Sequence, residues 1–518
     1  MQKTLYIAVF FSGMASLALE FTASRLLERT FGSSNLVWAC IIGLILIYLA
    51  VGYFLGGRWA DRSPSFKTFF QILIWAAMTM AIIPIIARPV LLAASDAFDR
   101  LQFGALFGSF VAILILLVIP VTLLGTASPF AIRLAVHQMR AVGQVSGRMY
   151  AISTLGSFIG TFLPVLVLIP LIGTYRTILV FAGLLLLIGL GGLWVAAGWK
   201  SILVYLWSPV AVLAIAIWGL QGPERDTPGL VYETESAYNY IQVLQQPDEY
   251  RILRLNEGQG MHSVYHPTVL NYNGPWEMVL AAPFFNPSPY LPSQVKSMAI
   301  VGLAAGTTAR QATAVYGPIP IDGFEIDPKV VDVGRKYFDM NEPNLNVIVE
   351  DGRWGLQQSR TRYQVISVDA YRPPYIPWHL TTREFFQIVH EHLTPDGVMA
   401  INVGRAPGDR RLIDDLAATI RTVFPSVYVV DLPQTFNSIL YASVQPTQFS
   451  NFRANLASIL ARPGVHPLLK DVMTTVANNL QPQPVSGQVF TDDVAPIEWI
   501  TNSMIANYIL NGGVESLK

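Results

Sequence analysis

Before Leu220 the chain carries seven stretches of nearly unbroken apolar sequence, near Thr4–Leu19, Leu36–Leu55, Phe69–Ile86, Gly108–Leu124, Tyr150–Ile169, Thr177–Ala197 and Ser201–Leu220. Each is close to the ~20 residues that a helix needs to cross a hydrocarbon core. The first follows Lys3 and has the look of a leader, but six further spans favour a membrane anchor. Over 518 residues, 52% are hydrophobic and only 13% charged, too apolar for a soluble enzyme, and the excess lies before Leu220. The formal net charge of +0 offers no face for a polyanion, and no nucleic-acid module is evident. A single cysteine, Cys40, excludes an internal disulfide.

Loop charge sets the orientation of such spans. With the N-terminus inside, the inner loops hold Lys3, Arg58, Arg62, Lys67, Arg133, Arg140, Arg148 and Lys200, and the outer loops Arg29, Arg88, Arg100 and Arg176. That favours an inner N-terminus, and an odd number of spans then places everything after Leu220 outside. An eighth span around Thr126–Arg148 would reverse the side. Within the spans, Gly156 and Gly160 have the spacing that lets two helices approach closely. Arg25 reads as interfacial, and Glu20 as a candidate for transport or contact, because ionisable groups are costly at membrane depth.

The stretch Gln221–Gly229 is a polar Pro/Gly linker. After it, Leu230–Gln246 and Tyr250–Tyr265 alternate like strands, with a hairpin near Pro247 and Asp248, and predict a small β-subdomain over 230–290. From 291 to 446 short apolar strands alternate with helical patterns, the signature of a parallel sheet. The strands are expected at Met298–Val301, Ile319–Phe324, Asn346–Val349, Tyr363–Val368, Val398–Val403, Val427–Leu432 and Ser438–Ser443. Helices are expected at Thr381–His392 and Arg410–Val423. The tail, 447–518, reads as mostly helical with a loop at Gln481–Ala495.

Each of the first four strands ends on a glycine or a carboxylate: Gly302, Glu325, Asp351 and Asp369. Ligands of open α/β sheets sit at that carboxyl edge. Gly302–Gly306 joins a strand to a helix, where backbone amides and the helix N-terminus approach a ligand. Glu325 is placed to accept both hydroxyls of a ribose, and Asp351 an adenine amino group. Both acids also stand where helix caps belong, and that reading stays open.

The order G-x-x-x-G, E-I-D, E-D-G-R and V-D-A, followed by F-F-Q-I-V-x-x-x-L-x-P-D-G-V, resembles the spermidine/spermine synthase family, and within it the membrane-fused branch. The resemblance covers Leu230–Ser443, and extends to Arg148–Gly160 and to Thr491–Glu498. It implies a multi-span α-helical membrane domain followed by an α/β domain. The α/β domain would be Rossmann-like, with the sheet of class I S-adenosylmethionine methyltransferases, and would carry the small N-terminal β-subdomain. It also implies transfer of an aminopropyl group from decarboxylated S-adenosylmethionine to an amine acceptor, a lipid bilayer and a polyamine as partners, and a homodimer. Gln259, Gly302, Gly306, Glu325, Asp351 and Gly352 then fall in the cofactor site. Asp369 is the first acid of the catalytic loop, and Glu277 matches the acid of a Y-H-E stretch.

Two departures stand out. Ala305 replaces an aspartate of the glycine loop, and Arg372 replaces the second acid of a D-x-x-D loop. A guanidinium repels a cationic amine and cannot act as a base, so a non-standard acceptor is expected. Tyr371, Trp378 and His379 follow Asp369 in a Pro-rich loop where an aromatic wall can bind a cation, and His379 is either a base or a structural hydrogen-bonder. Asp492 and Asp493, with Glu498, are candidates for supplying the missing negative charge, or for capping a helix. No metal-ligand spacing stands out. A methyltransferase on the same fold, in which Arg372 pairs with a carboxylate, and a non-enzymatic polyamine sensor or transporter are the competing expectations.

Overall fold

A computed structural model describes residues 1–31, 35–101, 105–136, 142–220, 227–256, 260–371, 375–484 and 486–510. The chain divides into two units, Met1–Asp226 with Glu235–Asn239, and Thr227–Thr234 with Tyr240–Lys518.

The first unit is helical. Its elements are α1 (Gln2–Phe31), α2 (Asn35–Arg62), α3 (Phe66–Leu101), α4 (Ala105–Ala135) and α5 (Val142–Leu163). A π-helical turn carries α5 into α6 (Ile169–Ile172), followed by α7 (Thr174–Ala197) and α8 (Trp207–Ala214). Among the described residues, seven segments are long and apolar enough to cross a membrane, from Gln2–Glu28 to Trp199–Gly219. Among the described residues no separate span lies around 126–148: Thr126 to Ala135 continue α4, and Arg148 lies in α5.

Small residues bring these helices together. A Cβ at Gly156 would stand 2.0 Å from the Phe10 carbonyl oxygen, and one at Gly160 2.1 Å from that of Met14. The expected small-residue spacing therefore seats α5 directly on the backbone of α1. Outward, the unit exposes Leu46, Phe54, Ile119, Phe158 and Leu187, so it is apolar on its surface as well as inside. The guanidinium of Arg25, read as interfacial, is largely buried, 3.0 Å from Glu28, and donates to the Ser236 carbonyl at 2.8 Å. Glu20 is half-buried on α1.

The second unit opens with a four-stranded sheet in the order β1 (Leu230–Glu235), β2 (Tyr240–Gln245), β3 (Arg251–Leu255), β4 (Ser263–Tyr265). The turn at Pro247–Glu249 lies where the sequence places a hairpin. Next comes α9 (Pro275–Met278), continued by a 3-10 stretch, Val279–Phe285. This segment was expected in the β-subdomain, but its side chains are buried in the core of the larger sheet. Its run of apolar side chains, Met278 to Phe285, is better buried there than on the smaller sheet.

The larger sheet has the order β10-β11-β9-β8-β5-β6-β7. Its strands are β5 (Met298–Val301), β6 (Ile321–Phe324), β7 (Leu345–Ile348), β8 (Tyr363–Val368), β9 (Leu393–Gly404), β10 (Ser426–Asp431) and β11 (Asn437–Ser443). Strands β5 to β9 are parallel, and β11 enters antiparallel between β9 and β10. This is a doubly wound, Rossmann-like arrangement. β6 starts at Ile321 rather than Ile319, because Pro320 has no amide proton to give the ladder.

Helices α10 (Thr307–Tyr316), α15 (Phe449–Ala461) and α16 (Pro467–Asn478) cover the face that carries Ile300, Val365, Ala400 and Val430. The opposite face, with Val301, Ile366, Ile401 and Val429, is covered by α12 (Gly352–Gln358), α13 (Arg383–Glu391), α14 (Arg411–Arg421) and α17 (Ile497–Leu510). Helix α11 (Pro328–Tyr337) starts on an Asp327 cap with proline at its first position. Alternation along each strand thus divides two cores, as period-2 geometry requires.

Candidate active site

The edge where the parallel strands end is built from short, strained turns. After β5 the chain passes through Gly302 (φ +89°), Ala304 (φ +48°) and Gly306 (φ +84°) before α10 begins. A Cβ at Gly302 would fall 2.6 Å from the Asp369 carbonyl oxygen, so only glycine lets this loop abut the end of β8. Gly306 meets Met340 in the same way, at 2.5 Å.

Glu325 follows β6 and holds the loop in place. One of its oxygens accepts from the Ala304 amide at 2.9 Å and the other from the Asp327 amide at 3.0 Å. Burial pushes its carboxyl up to about 7, against the opposing pull of these amides. Asp351 caps α12, accepting from the Arg353 and Trp354 amides at 3.0 and 3.1 Å. Its second oxygen lies 3.0 Å from His379 Nε2, and this contact holds its carboxyl below the ordinary aspartate range. Gly352 is needed at the first position of α12, where a Cβ would come within 2.5 Å of Val301.

Asp369 continues the β8 ladder through its amide to the Val301 carbonyl at 2.9 Å. Its Oδ1 accepts from Asn402 Nδ2 at 2.8 Å, and burial raises its carboxyl to about 6. The Tyr371 hydroxyl accepts from the Gly404 amide at 2.6 Å and donates to the Asn402 carbonyl at 3.2 Å. Burial, with Asp369 nearby, pushes that phenol far above its ordinary range, so it stays protonated.

His379, weighed above as a base, makes its side-chain contact with Asp351, at the β7 end of the edge. Its Nε2 is thus engaged by a carboxylate that also caps α12, which suits the structural hydrogen-bonding reading. Glu277 is fully buried. Its oxygens accept from the Tyr272 and Gly274 amides and from Gln311 Nε2, at 3.2, 2.8 and 3.0 Å, so both oxygens are already bonded to the protein.

Asp492 forms a bidentate pair with Arg353 at 2.8 and 2.7 Å and accepts from Thr382 Oγ1 at 2.7 Å. It fastens the tail to α12 and α13 rather than offering an open charge. Asp493 is exposed on a turn in which the Thr491 and Val494 backbones bond reciprocally. It does not cap α17, which starts at Ile497. Trp378 is exposed, with its ring edge-on to His379 at 5.8 Å between centroids. Gln259 and Arg372 lie outside the described residues.

Ala305 has a packing reason. It is 2% exposed, donates its amide to Ser263 Oγ at 3.0 Å, and clusters with Val243, Leu253, Val330, Val333 and Phe338. A carboxylate there would sit in apolar surroundings.

Asn402 was not singled out by the sequence, although one amide in the apolar run Val398–Val403 is a signal that alternation can expose. It is 8% exposed, and its Oδ1 has no hydrogen-bond partner. The carboxylate of Asp369 can only accept, which fixes Nδ2 toward it and leaves Oδ1 aimed elsewhere. No cluster of three or more metal-ligating side chains occurs among the described residues.

The edge thus combines a glycine loop, the carboxylates of Glu325 and Asp351, and a part-buried carboxylate, Asp369, raised to about 6. That set can hold an adenosyl group and accept a proton from an amine.

Known proteins are similar to this chain. The sequence profile of the spermine/spermidine synthase domain matches residues 284–454. A probable polyamine aminopropyl transferase from Bifidobacterium longum is 33% identical over 284 residues, which are 52% of this chain and 61% of that protein. A polyamine aminopropyltransferase from Vibrio vulnificus is 30% identical over 224 residues, 40% of this chain and 68% of the relative. A crystal structure of a probable spermidine synthase from Corynebacterium glutamicum aligns with 53% of this chain and 99% of its own, at 21% identity and a TM-score of 0.40.

Proposed function

The chain belongs to the spermine/spermidine synthase family, and from that premise we propose that its second unit is an aminopropyltransferase using decarboxylated S-adenosylmethionine. The seven apolar segments of the first unit would anchor it in a bilayer. The observation that carries this reading is Asp369: its backbone abuts the glycine loop at Gly302, and its carboxylate, raised to about 6, is bonded to Asn402.

In the proposed reaction Glu325 accepts the two ribose hydroxyls and Asp351 the adenine amino group. The amine nitrogen attacks the methylene carbon next to the sulfonium. A C–N bond forms as the C–S bond breaks, and the electron pair leaves on sulfur as a neutral thioether. The proton lost by the amine passes to Asp369, whose raised pKa suits a base working near neutrality. Asp369 also meets a co-substrate that carries a sulfonium and an ammonium but no carboxylate. The intact cofactor would bring a carboxylate toward that acid, at an electrostatic cost.

The test is to incubate the detergent-solubilised chain with decarboxylated S-adenosylmethionine and a panel of amines. Mass spectrometry then looks for methylthioadenosine together with the aminopropylated amine. Stoichiometric appearance of both supports transfer; consumption of neither, with every amine, overturns it.

A further inference from the structure

The second unit has four tryptophans, and only one of them is inside. Trp276 is buried, whereas Trp354, Trp378 and Trp499 are 55, 49 and 68% exposed. These three come from the first turn of α12, the segment after β8 and the first turn of α17. Hydrogen bonds tie those elements to one another. Asp351 accepts from the Trp354 amide on one oxygen and meets His379, the neighbour of Trp378, on the other. Arg353 reaches the His379 carbonyl at 3.1 Å and Asp492 at 2.8 and 2.7 Å. The Tyr375 hydroxyl donates to Asn502 Oδ1 at 2.7 Å, which ties α17 to the same segment. Val349, at the end of β7, and Val494, beside Asp492 and Asp493, are exposed as well. One flank of the carboxyl edge is therefore apolar over several elements, unlike the single exposed side chains of an ordinary surface.

The charges set among these side chains are engaged with one another: Arg353 with Asp492, Arg383 with Glu384, and His379 with Asp351. Helix α17 turns Ile497, Ile500 and Met504 into the core, yet its fourteen residues include a single ionic side chain, Glu498. A surface helix facing water carries a charged outer face. Tryptophan is enriched at the headgroup level of a bilayer, where the apolar body of the ring and its N–H find different neighbours. Nine residues, Gln221–Gly229, join the last apolar stretch to the small sheet, an extended reach of about 30 Å. A unit held on so short a tether to an embedded segment always has a bilayer surface at hand, whereas a second copy would have to be recruited.

We propose that Val349, Trp354, Trp378, Val494 and Trp499 form a docking surface for the headgroup zone of a bilayer. The inference rests on the reading of the first unit as a membrane anchor. With Arg353 and Arg383 both paired to carboxylates, the contact is apolar and does not call for anionic lipid. Tyr375 and Trp378 belong to the segment that follows Asp369, so docking holds that segment beside the site.

The experiment uses the full chain with Cys40→Ser, which removes its one cysteine, and adds a single labelling site. That site is Val494→Cys on the patch or Leu460→Cys on α15, an exposed position over the other face of the sheet. Each carries an environment-sensitive fluorophore and is reconstituted into phosphatidylcholine vesicles that contain a lipid with a nitroxide at headgroup depth. Iodide serves as the aqueous quencher. The Val494 label should lose at least about half of its emission to the nitroxide lipid and respond to iodide several-fold less than the Leu460 label. Trp354→Ser together with Trp499→Ser should remove most of the lipid quenching, and added anionic lipid should leave it unchanged. A Val494 label quenched by iodide alone overturns the docking surface. So does one shielded from both quenchers, the mark of a protein partner such as a second copy. Lipid quenching that survives loss of both tryptophans, or that needs anionic lipid, overturns it too. Flotation separates the two readings. A chain that floats with the vesicles without lipid quenching refutes the surface alone, and a chain that does not float refutes the anchor and the surface with it.

Discussion

The two halves of the catalytic edge differ in how they hold their polar groups. At the β5-β6-β7 half, Glu325 and Asp351 accept from backbone amides on their own or neighbouring turns, and the Gly302 amide donates to the Phe324 carbonyl. At the β8-β9 half, the Asp369 carboxylate rests on one side-chain amide, and Asn402 keeps an acceptor without a partner. A ligand that is the same in every turnover suits a site pre-formed by main chain. A ligand that varies between relatives suits one made from replaceable side chains. The first half should therefore resist change in specificity, and the second should allow it.

The largest effect that would separate the halves is on turnover. Asp369→Asn should lower kcat at least 100-fold, the scale of lost general-base catalysis, with affinity for the adenosyl co-substrate within about threefold of wild type. Equal losses in both quantities would merge the halves into one site. Glu325→Gln should do the reverse, weakening adenosyl binding about 10- to 100-fold in calorimetry while sparing kcat at saturation.

The raised acids give the comparison a pH signature. A ribose diol can donate to both oxygens of Glu325 only when it is a carboxylate, so adenosyl affinity should climb as pH rises through about 7 and then level off. kcat/KM for the amine should climb through about 6, where Asp369 loses its proton. Both groups are raised in the folded state, so each favours folding at low pH and loses that contribution as pH rises through its folded value. Profiles that fall with rising pH across 5–7 would contradict both assignments.

The smallest effect expected on chemistry comes from Ala305→Asp. If Ala305 were only a lost amine contact, the variant would gain activity. Its place among Val330, Val333 and Phe338 predicts instead no gain and a loss of stability of about 1–3 kcal/mol, read as a lower Tm of the solubilised chain.

The sequence made one half of the edge far more legible than the other. Strand ends and a glycine loop are local patterns, so Gly302, Glu325, Asp351 and Asp369 can be read from one stretch. What escaped is non-local. Asn402 matters because β9 lies beside β8, and Asp492 because the tail folds back on Arg353 across 139 positions. His379 follows Asp369 in sequence, yet its loop carries the imidazole to Asp351. Glu277 has the right chemistry, but burial and three donors leave it inside the fold. In the helical unit, apolar length located all seven segments, because a helix needs no distant partner to satisfy its backbone.

The most direct measurement is calorimetric binding of decarboxylated and intact S-adenosylmethionine to the solubilised chain at pH 7.5. Aminopropyl transfer predicts that the decarboxylated form binds at least about tenfold more tightly, because Asp369 faces its cationic end and would repel a carboxylate. Tighter binding of the intact form would contradict it and make the edge a methyl-transfer site instead.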